Sequence, residues 1–314
     1  MGPRIRRGSL VFIAPLLMVL FAPAGCDGTE ELPEPDGLVE DLAPCGFAAP
    51  PAALIEVSQS YDIFHSGVST RIGGQVQDGP YPVFHETFLQ EGSCRYVKVA
   101  YGDCDPPCGA GEVCVAGDTC APYPTGLSGG TLTIQGLGDD IAIEPEDWSP
   151  GTYFGPAGLP ANLFDETDIV GATLQGDGFP AVSLVARGVA LIDADLVQTG
   201  FTVVDGEDAE ITWTAGPDPD ACVRVVLNGF NQAHGAPLAD IIECEGPDTG
   251  SLIIPQALVE AFPPGTTPEV SNNYDWPHSE LTRYTRSVQL VDEGPAELMV
   301  HSTALFLLDH PGEE

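Results

Sequence analysis

The chain has 314 residues, with 10 Lys+Arg against 47 Asp+Glu and a formal net charge of −37. Phosphate backbones are held by clustered Lys and Arg, so this balance excludes nucleic-acid binding and points to solubility or a cation-collecting surface. Hydrophobic residues make up 43% of the chain, enough for a sizeable core, while 37 Gly and 30 Pro interrupt it too often for long helices.

The N-terminus reads MGPRIRRGSLVFIAPLLMVLFAPAGC, with Arg4, Arg6 and Arg7 ahead of an apolar run from Leu10 to Ala22. That run is shorter than the ~20 residues of a membrane span and suits an export signal over residues 1–25. Ala24-Gly25-Cys26 resembles the end of the bacterial lipoprotein box, in which signal peptidase II cleaves before the cysteine and the cysteine is acylated. Ala22-Pro23-Ala24 also fits the A-x-A rule for soluble secretion. Nine cysteines are an odd number, and committing Cys26 to lipid leaves eight for bridges. The resemblance implies an exported cell-envelope protein, held to the membrane by lipid on Cys26 and facing the periplasm or cell surface. Cleavage there would leave 7 basic against 47 acidic groups, net −40. Residues 26–50 then read as a tether, because DGTEELPEPDGLVEDLAP is acidic, Pro-rich and without hydrophobic period.

Beyond residue 50, short strand-like runs alternate with turn residues. They are Ala53–Ser58, Tyr81–Gln90, Ser93–Tyr101, Gly130–Gln135, Asp168–Gln175, Ala181–Ala186 and Gly200–Val204. Glu210–Thr214, Cys222–Leu227, Asp240–Cys244, Ser251–Ile254, Arg286–Val291 and Ala296–Leu308 continue the series. One helix is predicted at IPQALVEAF, where Pro255 suits a first turn, Leu258 and Phe262 share a face, and Pro263-Pro264-Gly265 stops the run. The dozen-residue amphipathic helices of a parallel α/β fold are missing, so the fold class is all-β. Length favours two β-sandwich modules, 51–195 with a Cys-rich insertion at 102–122, and 196–314. The second resembles an immunoglobulin- or fibronectin-type sandwich, with Trp213 on a strand beside a Cys222–Cys244 bridge, although its cysteine and tryptophan order differs from antibody domains.

CDPPCGAGEVCVAGDTC, Cys104 to Cys120, packs four cysteines into seventeen residues. Zinc sites favour repeated C-x₂₋₄-C pairs in a reducing compartment; Cys104 and Cys108 fit, Cys114 and Cys120 are too widely spaced, and no redox C-x-x-C is present. An exported loop of Pro and Gly with few apolar side chains is instead closed by disulfides. The run resembles EGF-like and growth-factor-binding-like cysteine knots, and similar inserts in surface lipoproteins of myxobacterial type, a resemblance that implies structure and no activity. With Cys45 and Cys94, six cysteines allow fifteen pairings. The expected set is Cys45–Cys94, Cys104–Cys114, Cys108–Cys120 and Cys222–Cys244.

Linear signatures of catalysis are missing: there is no G-x-S-x-G, H-E-x-x-H or P-loop. Six histidines (His65, His85, His234, His278, His301, His310) are scattered, though a sheet can bring distant ones together. Acidic loops at Asp139-Asp140, Asp165–Asp168, Asp205–Asp208 and Asp218–Asp220 leave calcium as the one cofactor open. In so acidic a chain such clusters arise by chance, and solvated turns are the expected account. Asn273, Tyr274, Asp275 and Trp276 form the most site-like loop, with aromatics and amides suited to a sugar, or a tryptophan capping a sandwich. The expectation is a non-enzymatic, lipid-anchored binding or adhesion module with an extracellular protein or glycan as partner. The competing class is a secreted hydrolase without a linear motif, marked by His, Asp or Glu converging in one pocket.

Overall fold

The computed structural model describes residues 42–62, 67–83, 85–99, 104–115, 117–192, 200–228, 240–263, 279–306 and 308–311, all within one compact unit, Gly37–Glu314. Its strands are β1 Ala53–Asp62, β2 Gly67–Val76, β3 His85–Glu91, β4 Cys94–Val99, β5 Glu112–Val115 and β6 Thr119–Pro122. There follow β7 Leu132–Gln135, β8 Ile141–Ile143, β9 Thr152–Phe154, β10 Ile169–Leu174, β11 Val182–Arg187, β12 Phe201–Thr202 and β13 Ala209–Thr212. The rest are β14 Cys222–Asn228, β15 Asp240–Pro247, β16 Ser251–Ile254, β17 Ser279–Val291, β18 Gly294–Phe306 and β19 Leu308–Asp309, with, among the described residues, one helix, α1 Gln256–Ala261. The all-β class expected from the sequence holds.

The centre of the fold follows from alternation in β18. Ala296, Leu298, Val300, Ala304 and Phe306 point to one face and are fully buried, while Glu297, Met299, His301, Thr303 and Leu305 take the other. β18 lies within a nine-stranded sheet of order β3-β4-β15-β14-β17-β18-β1-β2-β9, in which β1 and β18 run parallel and the other neighbours antiparallel. The apolar face is covered twice. Over β1, β2 and the start of β18, Ile55, Val57 and Leu298 meet Ile134, Leu174 and Leu184 of a second sheet, β11-β10-β7-β8. Farther along, Val225, Ile242 and Phe306 are capped by Ile211 and Ile254 of the β13–β16 pair and by Leu258 and Val259 of α1.

This arrangement corrects the division into modules 51–195 and 196–314. β1–β4 and β9 come from one side of that boundary and β14, β15, β17 and β18 from the other, yet they share one hydrogen-bonded sheet. Chain length favours two units, whereas the pairing of Ala53 with Ala296 leaves no local mark in the sequence. The boundary itself, 193–199, lies outside the described residues.

Two disulfide expectations are also corrected. Cys45 bonds Cys222 and Cys94 bonds Cys244, in place of Cys45–Cys94 and Cys222–Cys244. The reason is register: Cys244 sits directly opposite Cys94 across β15 and β4, while Cys222 faces Pro247. Trp213 packs on the cluster that contains the Cys94–Cys244 bridge, and its indole N–H donates to Asp248 Oδ1 at 2.5 Å. In the insertion, Cys104–Cys114 and Cys108–Cys120 form as expected and staple the β5–β6 hairpin.

The tether expected to run to residue 50 is docked from Leu42 onward. Leu42 bridges Ser287, and the Arg286 guanidinium donates to the carbonyls of Pro44 at 2.8 Å and Gly46 at 2.9 Å. The Cys45–Cys222 bond and the Phe47 ring, 4.0 Å from the Arg95 guanidinium, fix the rest of this strap across the polar face of the large sheet. Composition could not show this, since each attachment uses a partner far along the chain. Residues 26–41, with Cys26, lie outside the described residues.

Candidate functional site

The face of the nine-stranded sheet opposite the core carries the unusual chemistry. Register sets Tyr284, His301, Ser58 and Arg71 side by side on β17, β18, β1 and β2. The next row along is Thr282, Thr303, Ser60 and Ser69, and the row before it is Met299, Glu56 and Gly73. Each belongs to the alternate set of its strand, so burying the Val, Ile and Leu set forces these outward. His301 and Thr303 of β18, with their neighbours on β1 and β2, line a groove of about 450 Å3 that also includes Glu280 and Tyr61. That volume falls within the ~300–1,000 Å3 of small-ligand sites. At Gly73 an added Cβ would meet nothing nearer than the Tyr153 carbonyl at 4.0 Å, so this glycine keeps one wall open.

His301, half-buried, stands at the centre of the groove. Its Nδ1 lies 3.1 Å from Thr303 Oγ1, which in turn lies 3.0 Å from Thr282 Oγ1. Its Nε2 is buried without a hydrogen-bond partner, 3.7 Å from Glu56 Oε1. Burial, and then the Arg224 charge, push its pKa down to about 4, so the ring is neutral at pH 7 and the Glu56 contact is not an ion pair. Burial raises the Glu56 carboxyl against the pull of Arg71 and Arg224, and it raises Glu280 against Arg224, with Glu56 adding to the rise. Arg71 and Arg224 are exposed, and among the described residues no carboxylate lies within ion-pair reach of either. With Arg95 and Arg286 they place on this one face four of the chain's 10 Lys+Arg.

A second cavity of about 200 Å3 lies under the strap, lined by Phe47, Arg95, Arg224, Glu245, Arg286 and Glu297. Burial pushes the Glu245 carboxyl up to about 7; Arg286 and Arg224 oppose this, and Glu243 and Glu297 add to it. The Tyr284 hydroxyl donates to Glu245, and Arg95 pairs with Glu243 at 3.1 Å.

The residues singled out in the sequence fall elsewhere. Asn273, Tyr274, Asp275 and Trp276 lie outside the described residues, as do His65, His234 and His278. His310 is buried after β19, its ring nitrogens 3.2 Å from the Pro263 carbonyl and 3.1 Å from Asp205 Oδ1. The acidic loops make internal contacts: Asp218 and Asp220 pair with Arg187, and Asp168 accepts from the Asp165 N–H. Among the described residues, the groups close enough to share an ion are Cys104, Cys108, Cys120 and Cys104, Cys114, Asp118, whose sulfurs are already joined in disulfides. Glu56, Arg71, Arg224 and Glu280 were missed. The available signal was a charged residue at the outward position of a Val- and Ile-rich strand, as in ALIEVS, together with the scarcity of arginine.

No helix among the described residues is long and apolar enough to cross a membrane. No protein-family model matches the chain, and no curated protein matches it in sequence.

Proposed function

We propose that this chain is an exported, lipid-anchored binding module without catalysis, and that its ligand site is the groove around His301. One observation carries the reading: a buried Nε2 with no partner, 3.7 Å from Glu56, in a groove that Arg71 also lines and Arg224 influences. A buried polar atom left unpaired costs roughly 1–3 kcal/mol, and a ligand that pairs it recovers that cost. The Ser58 hydroxyl, the nearest nucleophile type on the same row, donates to the Arg71 carbonyl at 3.4 Å, which argues for binding over acyl transfer. Anchoring through Cys26 is supported by the cysteine count, because the other eight cysteines pair with one another in four disulfides.

Gly73→Leu tests the site, since a Cβ there meets no atom nearer than 4.0 Å and the larger side chain stands in the lining of the groove. A panel of polar small molecules and glycans should raise the thermal midpoint of the wild type and leave Gly73→Leu unmoved. Equal shifts in both proteins would place the ligand elsewhere. Anchoring is tested by membrane partition, which Cys26→Ser should abolish. A hydrolase is the second reading, favoured by Glu56, His301 and Glu280 lining one groove. Product released from a bound glycan, and lost in both Glu56→Gln and Glu280→Gln, would replace binding with turnover.

A further inference from the structure

Resting on the groove as the ligand site, we infer that it takes a short, uncharged saccharide chain, with a sugar hydroxyl set between His301 Nε2 and Glu56. Charge comes first. Arg71 lines the groove with Glu56 and Glu280, and Arg224 stands beside it, opposite Thr282, while the histidine between them is neutral. A cation therefore meets a guanidinium in the wall, and an anion meets two carboxyl groups on a chain of net charge −37.

Hydrogen-bond logic then narrows the group. The 3.7 Å separation of Nε2 from Glu56 Oε1 is too long for a direct bond, and a laterally placed oxygen can reach both atoms. The Nδ1 contact with Thr303 Oγ1 is compatible with either tautomer, so Nε2 is a donor or an acceptor accordingly. A hydroxyl pairs Nε2 in either case, accepting from Nε2–H while it donates to Glu56, or donating to a bare Nε2 while it accepts from the protonated Glu56 carboxyl; a carboxylate cannot donate and an ammonium cannot accept. Ser58, Ser60, Ser69 and Thr303 extend the same hydroxyl-matching surface along the rows.

Shape fixes the length. The groove follows β1 from Glu56 to Ser60, ~13 Å at 3.3 Å per residue, which suits a short chain better than a single ring. Tyr61, also among the lining residues, marks the far end of this path.

The test is calorimetric titration of the full oxidised chain with cellohexaose, chitohexaose, maltohexaose and laminarihexaose, and with hexagalacturonate and spermine as charged controls. At least one neutral hexaose should bind, with Kd changing by less than about twofold between ~50 and ~500 mM NaCl, as an uncharged ligand requires. His301→Gln should weaken that binding about tenfold, and Gly73→Leu should abolish it with an unchanged thermal midpoint. Binding of hexagalacturonate or spermine alone, still blocked by Gly73→Leu, would overturn the saccharide and leave the groove reading intact. Binding of a neutral hexaose that Gly73→Leu does not affect would overturn the groove itself. Binding of none of the four hexaoses would overturn the saccharide inference.

Discussion

Replacing Glu245 by glutamine should stabilise the protein above neutral pH and leave it unchanged in acid. Glu245 is 7% exposed, receives a hydrogen bond from Tyr284, and stands opposite Arg224 on the β14–β15 ladder. Burial lifts its carboxyl from 4.5 to about 7, because two nearby arginines do not offset the lost hydration. Between those values the folded protein keeps a proton that the unfolded chain has released. The group's contribution to stability is therefore complete below 4.5 and is lost as pH rises through 7. Ionising the carboxyl in place costs roughly 3 kcal/mol by about pH 8. Glutamine has the same shape, carries no charge, and still offers Tyr284 an acceptor. Urea unfolding with disulfides intact, followed by tryptophan fluorescence, should thus show wild type and Glu245→Gln alike at about pH 4. The variant should lead by roughly 3 kcal/mol at about pH 8. A difference independent of pH, or a less stable variant at about pH 8, would show that Arg286 and Arg224 outweigh burial and refute the reasoning.

His301 titrates with the opposite sign. Its ring is held neutral down to about 4, so it contributes stability above 6.5 that is lost as pH falls through 4; His301→Gln should flatten the fall in thermal midpoint over that interval, and an equal acid loss in both proteins would contradict it. Removing both Cys45 and Cys222 by alanine should cost ~5 kcal/mol of stability on the chain-entropy account of a bridge spanning 177 residues. Amide exchange at Ala43, which donates to the Arg286 carbonyl at 3.0 Å, should quicken with it, and an unchanged rate would mean the strap holds by its other contacts. Limited proteolysis should cut within 104–122 only after reduction, since Val113 and Val115 are the hairpin's main apolar side chains. Equal cutting of oxidised and reduced protein would show that the bridges do not order the insertion.

What was legible in the sequence, and what was not, follows from how a sheet stores information. β16 matches its expected span residue for residue, and α1 forms where Leu258 and Phe262 stand on one face; both are local patterns. β2, GVSTRIGGQV, was missed because Gly73, Gly74 and its arginine break the apolar alternation; Gly73 and Arg71 hold those positions because the groove lies over them. The first half of β17 was missed for a related reason: the inward position expected to be apolar is Arg283, 2% exposed and bonded to Asp248 at 2.7 Å. Alternation assigns a residue to a face and stops there. Glu56 could be read as outward from ALIEVS, but that it stands one strand from Met299 and within 3.7 Å of His301 depends on the parallel pairing of β1 with β18. That pairing is selected by apolar area buried against a second sheet, with no contribution from the residues of the groove. Core and groove therefore constrain each other through one register. A one-residue slip of β1 would turn Ile55 and Val57 outward and carry Glu56 into the core, so the strength of the core is what holds the groove in shape.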